Sequence, residues 1–185
     1  EPDAGRSYRE RERLFALLDA GSRVVAPVQT IVPRNPRAAG GIKTWDSFSA
    51  PEPGFEEQVY FFELNAADDG GTRAMLKNAH GTRGVSLLFN KQQLPYFTLW
   101  KNTTAEADGY VTGLEPGTNF PNPRSFETVK HRVVHLAAGQ KQKFDVTMQI
   151  HTTGPEVAAA EAMVAKVQAG RQPQVVEQPR ADWCA

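Results

Sequence analysis

An all-β fold, an antiparallel β-sandwich with short flanking helices, is what this 185-residue sequence predicts. Two observations carry that reading. Between Gln58 and His151 the chain breaks into short segments rich in β-branched and aromatic residues: "QVYFFEL", "TRAMLKNA", "GVSLLFN", "PYFTLW", "GYVTGLE", "HRVVHLA" and "KFDVTMQIH". Between them stand turn signals, "AADDGG", "HGTRG", "ADG" and "AAGQ", which is how hairpin-connected strands are punctuated.

The elements divide the chain into a peripheral N-terminal helix (residues 1–21), a β-sandwich domain (22–152), and a C-terminal helix with a polar tail (153–185). "SYRERERLFALLDAG" spaces Leu14, Leu17 and Leu18 for an amphipathic helix, with Gly21 as its stop. "SRVVAPVQTIVPR" carries Pro27 and Pro33 and predicts short edge strands. Residues 34–57 form a long excursion anchored by Trp45 and Phe48. After the strands the period changes, and "GPEVAAAEAMVAKVQAG" places Val157, Met163 and Val167 at helical spacing.

Charge narrows the function. Lys plus Arg number 21 and Asp plus Glu number 21, so no basic field points to nucleic acid and no excess charge points to a membrane surface. A neutral or weakly charged partner is the more natural one. Cys184 is the single cysteine, so the chain neither needs nor excludes an oxidising compartment. No apolar stretch approaches the roughly 18 residues of a membrane span, and no signal peptide is visible, so a soluble, cytoplasmic protein is expected. Glu1 is not an initiator methionine, which leaves open a processed or longer protein.

Three stretches hold candidate chemistry. In "GYVTGLEP" period two puts Val111, Gly113 and Glu115 on one face and Tyr110, Thr112 and Leu114 on the other. The missing side chain at Gly113 leaves room beside the carboxylate for a flat ring, and Pro116 ends the strand at Glu115. The loop that follows offers Asn119 and Arg124 as hydrogen-bonding groups. The alternative is a solvated glutamate at a strand end. In "LPYFTLWKN", Trp100 stands beside Lys101 and Asn102. An aromatic face with hydrogen-bonding groups suits a carbohydrate; the alternative is that Trp100 is core and Lys101 snorkels to solvent. Gln58, the one amide in "QVYFFEL", is either part of that constellation or an ordinary edge residue.

Metal and cofactor chemistry find little support. His131 and His135 have the spacing of helical zinc ligands, but "RVV" between them favours a strand and no HExxH pattern accompanies them. His80 and His151 fall in a turn and at a strand end, where exposure is expected. No GxSxG, Walker loop or GxGxxG is present. Neither a metal nor a cofactor is expected.

Taken in order, "EPGFEEQVYFFEL", "QLPYFTLWKN", "GYVTGLEPGTNFPNPR" and "LAAGQKQKFDVTMQI" resemble the C-terminal half of the galactose mutarotase-like, or aldose 1-epimerase-like, superfamily, in its branch of uncharacterised bacterial proteins. The resemblance spans about Leu18 to His151. It implies a part of a β-supersandwich that binds a sugar across a sheet. It further implies isomerase chemistry in carbohydrate metabolism, in which a glutamate takes the proton of the anomeric hydroxyl and a histidine protonates the ring oxygen. Glu115 falls where the family's base stands, with Lys101, Asn102, Trp100, Gln58, Arg124 and Asn119 around the sugar.

Two departures temper that expectation. The family's acid histidine belongs to a His-x-Asn-like segment ahead of "LLDAGSRVVAP", where this chain reads "RERERLF". The N-terminal half of the sandwich has no counterpart either. Either the chain is a piece of a longer enzyme, or it is a member that binds sugar without epimerising it. Half a supersandwich exposes sheet surface, to be covered by the flanking helices or by a homodimer.

Overall fold

The computed structural model describes residues 17–185. Its strands form two packed sheets. The four-stranded sheet contains β1 (Arg23–Val25), β4 (Gly71–Lys77), β5 (Gly84–Asn90) and β8 (Val146–His151), in the order β1-β4-β5-β8. The five-stranded sheet contains β7 (Val111–Gly117), β6 (Tyr96–Asn102), β3 (Gln58–Leu64), β2 (Val28–Pro33) and β9 (Gln174–Val175), in the order β7-β6-β3-β2-β9. All pairs are antiparallel except β9 beside β2.

The apolar faces of the strands meet between the sheets. Tyr60, Phe62, Phe97 and Leu99 from the five-stranded sheet pack with Ala74, Leu76 and Phe89 from the four-stranded one. Ring centroids lie 5.6 Å apart for Phe62 and Phe97 and 6.2 Å apart for Phe89 and Phe97. Each fully buried Phe contributes about 1.5–3 kcal/mol relative to exposure. The 34–57 excursion holds helix α1 (Pro36–Gly40). It packs through the two anchoring aromatics, Phe48 being buried and Trp45 lying edge-on to Phe62 at 5.1 Å.

A second core forms on the outer face of the five-stranded sheet. Phe120 stacks on Phe61 at 4.6 Å and touches Trp183 at 4.8 Å. Helix α2 (Arg124–Val129) follows Phe120 and contributes Glu127, which is fully buried. Arg132 Nε and Nη2 donate to the two Glu127 carboxylate oxygens at 2.6 and 2.8 Å, and Asn122 Nδ2 donates to the same carboxylate at 2.7 Å. Arg132 Nη1 and Asn122 Nδ2 also donate to the carbonyls of Asp182 and Trp183. The tail is thereby tied to the sheet.

Helix α3 (Gly154–Gln168) covers the other side of the four-stranded sheet, as its periodicity predicts. Thr153 and Glu156 form a capping box, which satisfies two otherwise unpaired backbone donors. Val157 and Ala160 bury against Met75, and Lys77 pairs with Glu161 at 2.6 Å. Met163 stays 46% exposed, on the far side of the helix. Among the described residues no helix is long and apolar enough to cross a membrane.

The structure departs from the sequence expectations in several places. "HRVVHLA" forms no strand: His131 adopts φ 57°, and Arg132 turns inward to Glu127. β2 is interior, lying between β3 and β9. Pro116 does not end β7, because β7 is an edge strand and a missing N–H costs nothing on an unpaired side. The tail, read as polar, also supplies β9 and the buried Trp183. The predicted N-terminal helix lies mostly outside the described residues, though Leu17 and Leu18 pack on the main core. On β8, Val146, Met148 and Ile150 pair in register with Phe89, Leu87 and Val85, yet remain 48%, 66% and 74% exposed. No described element covers that part of the inner face.

Replacing Arg132 with Met strands a buried carboxylate and is expected to destabilise the fold by about 3–5 kcal/mol in urea denaturation. Burial opposes the Glu127 charge, but the bonds from Arg132 and Asn122 outweigh it and hold the carboxyl below the ordinary glutamate range. Its contribution is therefore complete above about pH 4.3 and is lost as pH falls through the lower folded value. Arg132→Met should flatten that acid limb; an unchanged limb would show that Glu127 does not govern it.

Candidate functional site

The outer face of the five-stranded sheet is set by register. Trp100 on β6 pairs with Val59 on β3 and Gly113 on β7, and Thr98 pairs with Phe61 and Glu115. Directly opposed residues share a face, so Trp100, Gly113 and Glu115 stand together. Asn102, opposite Val111 at the end of β6, belongs to the same face.

At its centre is the Glu115 carboxylate. A Cβ on Gly113 would overlap Glu115 Oε1, so the space that glycine leaves is taken by the carboxylate itself and not held open for a ring. Glu115 has no hydrogen bond or ion pair among the described residues. Although much of the side chain meets solvent, partial desolvation pushes its carboxyl above the ordinary range. The chemical consequence is a proton acceptor that is more basic than a free glutamate.

Trp100 is half-buried beside this group, and its indole Nε1 donates to Glu57 Oε2 at 2.6 Å. That bond fixes the ring against the sheet. Glu57 is the residue the sequence reading passed over. Period two carried one step back from Val59 puts it on the face of Val59, and only the register of β3 with β6 sets that face beside the tryptophan.

Lys101 and Gln58 lie on the opposite face. They pair with one another across β6 and β3, and their alternate neighbours Leu99 and Tyr60 belong to the core between the sheets. Lys101 does not snorkel outward: it is 4% exposed and its ammonium donates to the carbonyls of Thr44 and Ser47 at 2.9 and 2.7 Å. Gln58 Oε1 accepts from the Tyr60 hydroxyl at 3.0 Å. The sheet thus separates these two residues from Glu115.

Asn119 lies in the loop beyond β7, whereas Arg124, expected in that loop, opens helix α2; both line a concavity of about 360 Å³ that also reaches Asn122 and Glu127. The Asn119 amide donates to the Phe120 carbonyl at 2.6 Å, so it also shapes its own loop. His131 and His135 are exposed after α2 and His80 is exposed after β4. His151 is half-buried, against expectation, with Nε2 2.8 Å from Ser86 Oγ on the four-stranded sheet. Among the described residues no group of three or more His, Cys, Asp or Glu side chains could hold a metal ion.

Gly113→Ala should leave the fold intact, because the atom in its way is the end of a flexible side chain. It should displace the carboxylate into solvent and bring the Glu115 pKa down toward the free value of about 4.3. Side-chain carbon NMR across pH 3 to 7 reads this directly, and an identical titration in both proteins would remove the link between the glycine and the carboxylate.

Comparison with known proteins agrees with this architecture. No functionally curated protein matches the chain. A crystal structure from Klebsiella pneumoniae, described as a "putative aldose 1-epimerase", superposes with a TM-score of 0.86 at 38% identity. The match covers 89% of this chain and 43% of that one, so this chain spans less than half of that protein's length. The sandwich described above is therefore an aldose 1-epimerase-like fold. Residues 15–150 match a family model described as "Domain of unknown function (DUF4432)", and the chain belongs to that family.

Proposed function

We propose that the outer face around Glu115 binds a carbohydrate, and that Glu115 is the proton acceptor of a mutarotase-like, aldose 1-epimerase reaction. The observation that supports this reading most is the carboxylate itself: unpaired among the described residues, raised in pKa, and set beside an indole held by Glu57. A pyranose could rest its C–H face on Trp100, with Asn102 on the same sheet face, Asn119 in the following loop and Arg124 at the start of α2 as hydrogen-bonding groups. Glu115 would take the proton of the anomeric hydroxyl as the bond from C1 to the ring oxygen breaks. The electron pair released goes to the ring oxygen, which must be protonated, and the open aldehyde recloses on either face.

A second reading, sugar binding without epimerisation, is favoured by where the histidines fall. None of His80, His131, His135 and His151 belongs to a strand of the five-stranded sheet, so the sheet itself supplies no imidazole beside Glu115 as the acid for the ring oxygen. The description of the solved relative as a "putative aldose 1-epimerase" supports the enzymatic reading, whereas this chain's coverage of less than half of it leaves room for the acid to come from outside the described residues.

Polarimetry on freshly dissolved α-glucose and α-galactose separates the two. Catalysis predicts anomerisation faster than in Glu115→Gln by about 10²-fold or more. Equal rates with hexose binding seen by calorimetry would establish the binding-only reading. Equal rates without binding would overturn both.

A further inference from the structure

On the inner side of the five-stranded sheet, a cavity of about 270 Å³ is lined by Lys101, Gln58, Phe48, Phe55, Ser49 and Thr103. We infer that this cavity is an anion-binding site that receives a small oxyanion, a carboxylate or phosphate group, against the Lys101 ammonium. The site stands apart from Glu115 and does not depend on the epimerase reading.

The case begins with an unbalanced charge. Lys101 is 96% buried, by its 4% exposure, and an ammonium has three N–H donors. Two go to the neutral carbonyls of Thr44 and Ser47, and the Phe48 ring lies 5.2 Å from Nζ. Lys101 forms no ion pair among the described residues. The carboxylate that acts on it most, Asp46, bonds instead to Arg23. Burying a cation against neutral dipoles alone is costly, and an oxyanion offers what those dipoles cannot.

The rest of the lining has the same polarity. It contains no acidic side chain. The Gln58 carbonyl oxygen is already used by Tyr60, which leaves its NH₂ as a donor. Gly41 makes that arrangement possible, because a Cβ there would come within 2.5 Å of the Gln58 amide atoms. Phe48 and Phe55 supply apolar walls, and low local dielectric strengthens a contact between opposite charges. Burial, partly opposed by the Asp46 carboxylate, lowers the Lys101 ammonium to about 8; a bound anion acts in the opposite direction to burial.

The test is side-chain NMR of wild-type protein carrying ¹³C-labelled lysine, with the Lys101 signal identified by its loss in Lys101→Arg. Inorganic phosphate and glucose 6-phosphate are titrated in separate arms, with uncharged glucose as control. The expected result is a rise in the Lys101 pKa by about one pH unit or more, saturating with a Kd of about 1 mM or tighter. A rise with both anions indicates recognition of the oxyanion itself, and a rise with glucose 6-phosphate alone indicates a phosphorylated small molecule. Gln58→Leu, which leaves the ammonium in place, should weaken binding about fivefold. An unmoved Lys101 signal with both anions, or an equal response to glucose, would overturn the proposal.

Discussion

Strand β6 is hydrogen-bonded on both edges, to β3 and to β7, so its pleat is fixed and its side chains must alternate between the two faces of the sheet. Phe97, Leu99 and Lys101 go inward, while Tyr96, Thr98 and Trp100 go outward. The inward set joins Phe62 and Phe89 in the core between the sheets. The outward set builds the floor of the candidate site. Trp100 and Lys101 are adjacent in sequence yet serve opposite sides of the molecule, and a slip of one residue in register would exchange them. The core and the site are therefore consequences of one pairing.

The outer face could not be a stable surface without its own covering. Phe61, Tyr96 and Phe120 form an aromatic group that would be exposed if the sheet ended there. Trp183 closes it from the C-terminal tail, and the Arg132–Glu127 pair locks both the loop and the tail in place. Arg132 also lies over Tyr96 and Phe120, at 5.8 and 5.3 Å from their ring centres, so its cation serves the aromatics as well as the carboxylate. The covering stops short of Glu115. One half of the face is a satellite core, and the other half is open chemistry.

Much of the fold could be read from the sequence because most strands are locally complete signals, with alternating side chains bounded by glycine and aspartate turns. "HRVVHLA" carried the same composition but formed no strand, because the buried Glu127 takes Arg132 as its partner. That demand arises from tertiary packing and leaves no periodic mark. Likewise Trp183 in a polar tail gives no hint that Phe120 awaits it. For the site, period two correctly grouped Gly113 with Glu115 but could not relate Gln58 to Trp100, since faces on different strands are matched only once register is known. Glu57 was missed for the same reason. The filling of the Gly113 gap by the Glu115 side chain is a rotamer choice, beyond what residue spacing encodes.

The proposed function puts the sugar on the Trp100 and Glu115 side of the sheet and not on the Lys101 side. The chain contains three tryptophans, Trp45, Trp100 and Trp183, whose indole N–H signals report on different places. Trp45 packs on the inner core, Trp183 closes the satellite core, and Trp100 stands beside Glu115. An indole ¹⁵N–¹H spectrum recorded during titration with galactose or glucose should show the Trp100 resonance moving in a saturable way while Trp45 stays in place. A response at Trp45 with Trp100 unmoved would put the sugar on the inner side and contradict the proposed function.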